Sequence, residues 1–255
     1  MTGILILARL GSSRLPEKHL LLAEGKAYIQ WLAERILFEF EEEIDEEQAQ
    51  VVLCTSDEFM NRKFENYLGA DDVKYFYGEK NNLARRQFDC ARKMQFDKLI
   101  CIDGDDVLCS TAGMRKVYDA LQEEGAQFIR TKGLPFGMNC MGYSFEFLKE
   151  CIRGNYSAML ETGWGRILDE SAATDIEMGK YDDRKLRFSL DYEQDDTFFK
   201  KIFAHFGSGI KMSSDEEIIS YVNKNKLYDL NASVVDEYWK NFEEQRNKEI
   251  EAAQA

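Results

Sequence analysis

A loop rich in cations follows the first apolar run of the sequence, ILILA. Its residues that could bind an anion are Arg9, Gly11, Ser12, Arg14 and Lys18. In a loop after a strand, backbone N–H groups can turn toward an anion while arginine and lysine hydrogen-bond its phosphate oxygens. The order of residues is neither a Walker sequence nor a dinucleotide fingerprint. The loop therefore predicts a polyanion site of another type, with a solvated basic loop as the alternative.

Carboxylates occur at two other places where an apolar run ends. The sequence DGDD occupies residues 103–106 directly after LICI, and Asp191 ends the run LRFSL. A Mg²⁺ ion typically binds one or two protein carboxylates together with substrate phosphates. Cations on one strand end and carboxylates on two others are typical of a nucleoside-triphosphate site, where positioning and electrostatics carry phosphate transfer. Solvated acidic turns are the alternative.

Composition excludes several classes of partner. The 255 residues carry a formal net charge of −14, from 47 acidic and 33 basic side chains. This charge repels a nucleic-acid backbone and an anionic membrane surface, so neither is expected to bind. No apolar stretch approaches the roughly 20 residues of a membrane span, and the start lacks the basic region of a signal peptide. We expect a cytoplasmic protein.

The metal-ligating side chains do not indicate zinc. The six cysteines form no C-x-x-C pair, and there are only two histidines. A tetrahedral zinc site therefore has poor support. We expect reduced thiols buried in the core, where free cysteine is common.

Short apolar runs alternate with amphipathic stretches at helical spacing. The predicted strands are 4–8, 51–55, 73–77, 98–103, 126–130 and 186–191. The predicted helices are 29–40, 58–68, 83–94, 111–124, 195–206 and 215–225, the last with a cap at Ser214 or Asp215. The alternation predicts an α/β fold: a Rossmann-like, mostly parallel twisted sheet with helices on both faces.

The remaining segments are less regular. Residues 132–184 contain many glycines and are predicted to form loops and short strands that cap the sheet. We expect a catalytic domain over residues 1–231. The strongly charged residues 232–255 are predicted to form a mostly exposed helical tail, or a linker to a further domain.

The predicted topology brings the candidate groups together. In open parallel sheets, ligands bind beyond the carboxyl ends of the strands. The loop after Ala8 and the DGDD cluster both follow a strand. They are therefore expected at the same edge of the sheet.

Four sequence motifs occur in order between residue 4 and about residue 203. They are ARLGSSRLPEKHL, TSDEF, IDGDDVL and LRFSLDYEQD. Together they resemble the motifs of the CTP-dependent cytidylyltransferases that make CMP-activated acidic sugars, in particular the branch typified by spore-coat polysaccharide proteins. The resemblance implies CTP as a substrate, a small anionic acceptor, Mg²⁺ as the cofactor and a homodimer.

The resemblance also implies roles for individual residues. The implied nucleotide-binding residues are Leu7, Ala8, Arg9, Gly11, Ser12, Arg14, Lys18, Thr55, Ser56 and Arg85. The implied catalytic residues are Arg9, Arg14, Lys18 and Asp105. Asp105 and Asp191 are the implied Mg²⁺ ligands.

The sequence departs from the family pattern in the segments expected to bind the acceptor. Val107 replaces a proline of that pattern, and ETGWGRILDE stands where an E-H-V-T segment is expected. The candidate acceptor-binding residues are Lys132, Asn139, Trp164 and Arg166, with structural or solvated roles as the alternative.

Three interpretations of the function follow. Because related cytidylyltransferases activate phosphonates, 2-aminoethylphosphonate is the leading acceptor. A nonulosonic or octulosonic acid is the alternative substrate. A non-catalytic nucleotide-binding module is the alternative of another class.

Overall fold

The computed structural model describes residues 1–69, 72–162, 164–181 and 185–254. These residues contain nine strands and eight α-helices, together with short 3₁₀ helices and loops. The strands are β1 (Thr2–Leu7), β2 (Leu22–Ala23), β3 (Lys26–Ala27), β4 (Ala49–Ser56), β5 (Lys74–Gly78), β6 (Lys98–Asp103), β7 (Phe128–Lys132), β8 (Met141–Ser144) and β9 (Ala173–Glu177). The helices are α1 (Tyr28–Glu39), α2 (Glu41–Asp45), α3 (Leu83–Met94), α4 (Thr111–Gln122), α5 (Phe145–Ile152), α6 (Glu193–Phe206), α7 (Asp215–Lys224) and α8 (Val235–Gln254).

Seven of these strands form one mostly parallel sheet in the order β5-β4-β1-β6-β8-β7-β9. β5, β4, β1 and β6 are parallel neighbours, β8 is antiparallel to β6 and β7, and β9 is parallel to β7. The predicted α/β fold is therefore confirmed. β8 and β9 belong to the segment predicted to cap the sheet, but they extend it instead.

Alternating side chains of β1 build a core on each face of the sheet. Ile4 and Ile6 pack on the side of α1 and α4, whereas Leu5 and Leu7 pack on the side of α3 and α5. This alternation is required by the two-residue period of a strand. Both faces are buried, which explains why the strand reads as a continuous apolar run.

A third apolar cluster extends this core over α6 and α7. Trp31 of α1 stacks on Phe203 of α6 with ring centroids 4.9 Å apart. α7 begins at the predicted cap, because Ser214 Oγ accepts from the Glu217 backbone N–H and Glu217 accepts from the Ser214 backbone N–H.

Two predicted elements differ in the structure. The predicted helix over 58–68 is a 3₁₀ helix at Phe59–Asn66. The predicted strand over 186–191 is wrong: the segment is extended but makes only an isolated bridge, between Arg187 and Phe136. Its backbone instead lies beside that of Gly137, whose φ is +88° and where an added Cβ would come within 2.4 Å of Phe188 O. Only glycine tolerates both conditions.

The predicted charged tail forms helix α8, which packs against the body of the protein. Val234, just before it, and Glu249, near its end, are both buried. Most of the described residues of α8 are exposed, and these two buried residues join the helix to the candidate site. Among the described residues, no helix is long and apolar enough to cross a membrane.

Candidate active site

The cation-rich loop begins where β1 ends and lies against the end of β6. Leu7 of β1 is paired with Asp103 of β6, and the Gly104 backbone N–H donates to Leu7 O over 2.8 Å. A Cβ at Gly104 would come within 2.7 Å of the Ala8 side chain, so the turn after β6 needs a glycine to approach this closely. The loop and the acidic cluster are therefore at the same edge of the sheet, as predicted.

A buried asparagine fixes the start of this loop. The Leu10 backbone N–H donates to Asn61 Oδ1 over 2.8 Å, and Asn61 Nδ2 donates to Ser56 O and Ser56 Oγ over 2.9 and 2.8 Å. Asn61 is fully buried. Asn61 therefore connects the loop to the end of β4 through both the oxygen and the nitrogen of its side-chain amide.

We expect Asn61→Ala to weaken binding of CTP, the nucleotide that the sequence resemblance implies, about tenfold and to destabilise the protein by about 1–3 kcal/mol. The variant leaves the Leu10 N–H buried without this acceptor, and that cost is in the range for an unsatisfied buried group. CTP titration and urea unfolding measure the two effects. Asn66→Ala is the control, because Asn66 is an exposed residue of the same 3₁₀ helix. Equal behaviour of the two variants would contradict the anchoring role.

One ammonium group links the two acidic positions of the site. Lys18 Nζ donates to Asp105 Oδ2 over 2.5 Å and to Asp191 Oδ1 over 2.9 Å. The Leu190 backbone N–H donates to Asp105 O over 2.9 Å, which places Asp191 next to Asp105. Three residues far apart in sequence thus form one charged cluster.

Two arginines also donate hydrogen bonds to the Asp191 carboxylate. Arg14 Nη2 donates to Asp191 Oδ1 and Arg187 Nη2 to Asp191 Oδ2, each over 2.6 Å. Arg187 is 2% exposed and also pairs with Asp195 over 3.2 Å. Asp195 accepts in turn from the backbone N–H groups of Asp191 and Tyr192. This network holds the Asp191 carboxylate in a fixed orientation.

These contacts set the protonation states of the cluster. Burial alone would raise the pKa of Asp191, but the cations Lys18, Arg14 and Arg187 outweigh burial and hold that pKa well below its usual range. Burial alone would lower the pKa of Lys18, but the two aspartates keep it above its ordinary value. The pairing is therefore ionic at neutral pH.

His19, beside Lys18, is held neutral. Burial, followed by the charge of Lys18, lowers the pKa of His19 to about 4. Its Nδ1 donates to Gly104 O over 3.2 Å. The histidine therefore supports the turn after β6 and adds no charge at pH 7.

The charged cluster lies in a cleft of about 800 Å³. The predicted site residues that line it are Leu7, Ala8, Arg9, Gly11, Ser12, Arg14, Lys18, Asp105, Trp164 and Asp191. Arg9 forms an ion pair with Glu161, and Trp164 is 9% exposed. The structure thus brings the predicted phosphate-binding loop, both carboxylates and one predicted acceptor residue to one cavity.

Three predicted nucleotide-binding residues lie outside the described lining of this cleft. Thr55 and Ser56 are fully buried at the end of β4. Arg85 pairs with Glu79 over 3.2 Å and with Asp89 over 3.4 Å.

The arginine of α3 that reaches the cleft is the next residue, Arg86. It donates to the carbonyl oxygens of Glu79 and Lys80 over 2.7 and 3.0 Å. A helix turns by about 100° per residue, so a shift of one position decides which side chain reaches the cleft.

Three predicted acceptor residues also lie outside the described lining of the cleft. Lys132 pairs with Asp175 across β7 and β9 over 2.5 Å. Asn139 Nδ2 donates to Leu134 O over 2.9 Å, so its amide supports the local backbone. Arg166 pairs with Glu249 of α8 over 2.9 Å. Their role in acceptor binding stays a prediction.

Sequence reasoning missed several residues of the site. They are Asn61, Arg86, Glu161, Arg187, Tyr238, Asn241, Phe242, Gln245, Lys248 and Glu249. The spacing gave no signal for Arg187, because residues four positions apart lie close together on a helix, whereas this segment was predicted to be a strand. The residues of α8 carry no such signal, since nothing in a charged helical pattern says where the helix packs.

The aspartates fit a hard divalent cation. Among the described residues, no group of three or more carboxylate, thiol or imidazole side chains forms a metal cluster. Asp105 and Asp191 nevertheless provide two carboxylates bridged by a single ammonium, and Oδ1 of Asp105 accepts no hydrogen bond from the described residues. A cation that takes one or two carboxylates and completes its shell with water and phosphate suits this donor set.

A family model described as cytidylyltransferase matches residues 3–201. No curated protein matches the sequence significantly.

Solved structures share the fold. A cytidylyltransferase from Leptospira borgpetersenii has a TM-score of 0.77 and 24% identity, over 90% of this chain and 97% of that one. A CMP:2-keto-3-deoxy-manno-octonic acid synthetase solved with CTP has a TM-score of 0.57 and 17% identity, over 80% and 98% of the two chains. A nucleotidyl transferase from Methanothermobacter has a TM-score of 0.59 and 15% identity, over 81% and 99%.

Proposed function

The chain belongs to the cytidylyltransferase family, and from this premise we propose that it transfers CMP from CTP to a small aminophosphonate, with 2-aminoethylphosphonate as the acceptor. The observation that carries the proposal is the convergence of Arg14 and Lys18 on Asp105 and Asp191 in one cleft. Cations there can neutralise a triphosphate, and the aspartates can hold the metal ion that accompanies it.

The wall of the cleft near Arg9 supports an acceptor that carries both charges. Glu161 lies there as the ion-pair partner of Arg9, and it can accept an ammonium group once Arg9 turns to the triphosphate. Trp164 adds an apolar and aromatic surface. A short zwitterion with an amino group at one end and a phosphonate at the other matches these side chains better than a neutral acceptor does.

The proposed reaction needs no dedicated base. A phosphonate oxygen is already ionised at neutral pH, and it attacks the α-phosphorus of CTP. The new P–O bond forms as the bond between the α-phosphorus and its bridging oxygen breaks, and pyrophosphate leaves with the electron pair. Lys18 and Arg14 turn from the aspartates to the phosphates and neutralise the charge that develops on the leaving group.

We further propose that Asp105 and Asp191 hold Mg²⁺ during turnover. When bound, this ion supplies positive charge to the phosphate oxygens. The chain's own contribution is to orient the ligands: Arg187 and Ser189 contact Asp191 Oδ2 and leave Oδ1 toward Lys18. Chelation with excess EDTA is expected to abolish turnover, and added Mg²⁺ to restore it.

The test is pyrophosphate release with Mg²⁺ and each of the four nucleoside triphosphates, in the presence of 2-aminoethylphosphonate. We expect release with CTP alone, and a CMP conjugate of the phosphonate by mass spectrometry. Release only with an octulosonic or nonulosonic acid would replace the acceptor in this proposal by an acidic sugar. CTP binding without release with any acceptor would instead indicate a nucleotide-binding module.

A further inference from the structure

Helix α8 presents one stripe of side chains to the cleft. The lining residues of this helix are Tyr238, Asn241, Phe242, Glu244, Gln245 and Lys248. Most of them are spaced three or four positions apart, which places them above one another on the same face of a helix. The stripe therefore forms a continuous wall of the cavity from one end of the helix toward the other.

The first turns of α8 are fixed against the catalytic network. The guanidinium carbon of Arg187 lies 4.1 Å from the Tyr238 ring centroid, and that of Arg14 lies 5.6 Å from it. Asn241 Nδ2 donates to Tyr192 Oη over 3.1 Å. Cation–π contacts of this kind restrain both the aromatic ring and the arginine.

The far end of α8 is fixed by a buried carboxylate. Glu249 is 2% exposed, accepts from the Thr162 backbone N–H over 2.7 Å and pairs with Arg166 over 2.9 Å. A buried charge is stable only when it is paired and hydrogen-bonded in this way. The preceding residue, Lys248, is exposed and lines the same cleft as Glu161 and Trp164.

Lys248 differs from the other cations of the cleft. Arg9 pairs with Glu161, Arg14 with Asp191, and Lys18 with both aspartates. Arg86 donates to two backbone carbonyls. Of the described cleft residues, Lys248 is the one cation with no hydrogen bond or ion pair to a protein acceptor, so it is available to a bound anion.

We propose that Lys248 binds the anionic group of the acceptor and that α8 is the acceptor-side wall of the active site. This inference rests on the proposed function, because it assigns a residue to the acceptor of that reaction. The family model matches residues 3–201, whereas α8 begins at Val235. Acceptor recognition by this chain thus uses a helix beyond the region that the family model covers.

The test is a comparison of Lys248→Ala with the wild-type enzyme in the pyrophosphate assay. A lost charge-assisted contact is expected to raise the KM for 2-aminoethylphosphonate about tenfold to hundredfold. The KM for CTP and kcat at saturating acceptor should stay within about twofold. Lys248→Arg keeps the cation and should recover most of the lost affinity, which a merely structural role would not explain.

Lys240→Ala is the matched control. Lys240 is an exposed lysine of the same helix that lies outside the described lining of the cleft, and its removal should leave the acceptor KM unchanged. An unchanged acceptor KM in Lys248→Ala would overturn the inference, while the wild-type reaction would still support the proposed function.

Calorimetry keeps the two proposals distinguishable if the wild-type enzyme does not turn over. 2-Aminoethylphosphonate is then titrated into the CTP-loaded wild type and into Lys248→Ala. Binding to the wild type that weakens in the variant would support the lysine assignment even though the proposed reaction fails. Equal binding to both proteins, or no binding to either, would overturn the assignment.

Discussion

Asp105→Ala is expected to lower kcat by at least about 10²-fold while the variant still binds CTP. Asp105 is one of two carboxylates that Lys18 joins, and it is a proposed Mg²⁺ ligand. In the proposed reaction, its removal deletes charge stabilisation that the transition state needs. The lost negative charge does not weaken the attraction of Arg14 and Lys18 for the triphosphate, so nucleotide binding survives. Single-turnover pyrophosphate release and CTP titration measure the two quantities separately.

Two further variants make this expectation specific. Asp105→Asn keeps the shape of the side chain and removes its charge, so it should lose activity nearly as completely. Asp119→Asn changes an exposed carboxylate of α4 and should retain full activity. A fully active Asp105→Ala enzyme would remove Asp105 from the catalytic assignment and, with it, from the proposed metal site.

Arg187→Met is expected to destabilise the protein by about 3–5 kcal/mol, the range for breaking a buried ion pair by removing one partner. Arg187 pairs with Asp191 and Asp195, and all three side chains are at most 2% exposed. Methionine fills a similar volume but leaves both carboxylates without this donor. Urea unfolding should show a lower midpoint with an unchanged slope.

Lys200→Met provides the matched comparison. Lys200 also pairs with an aspartate of α6, Asp196, over 2.7 Å, but its side chain is 50% exposed. Exposed pairs contribute about 0–1 kcal/mol, so this variant should unfold close to the wild type. Similar losses of unfolding free energy in the two variants would show that the buried Arg187 pairs stabilise the protein no more than an exposed pair does.

Much of the site could be predicted because its parts are local in sequence. Arg14 and Lys18 belong to a single loop, and Asp105 directly follows a strand. That these residues lie close together could be predicted from one rule: the carboxyl ends of parallel strands lie at the same edge of a sheet. Asp191 also reaches this edge, although its segment is not the strand that was predicted. The extended segment that contains Asp191 is held by contacts with the backbone of Gly137 and Asp105, instead of by pairing with a strand of the sheet.

The sequence by itself determined the fold class, the cation-rich loop and the pair of aspartates at one edge of the sheet, because strand periodicity and short motifs encode them within a few residues. Only the tertiary structure decided that Arg86 reaches the cleft where Arg85 was expected, and that α8 forms a wall of the site. The physical reason is that both outcomes depend on packing. A charged amphipathic helix can lie in solvent or against a cleft, and buried contacts such as Glu249 with Arg166, distant in sequence, select one of these arrangements.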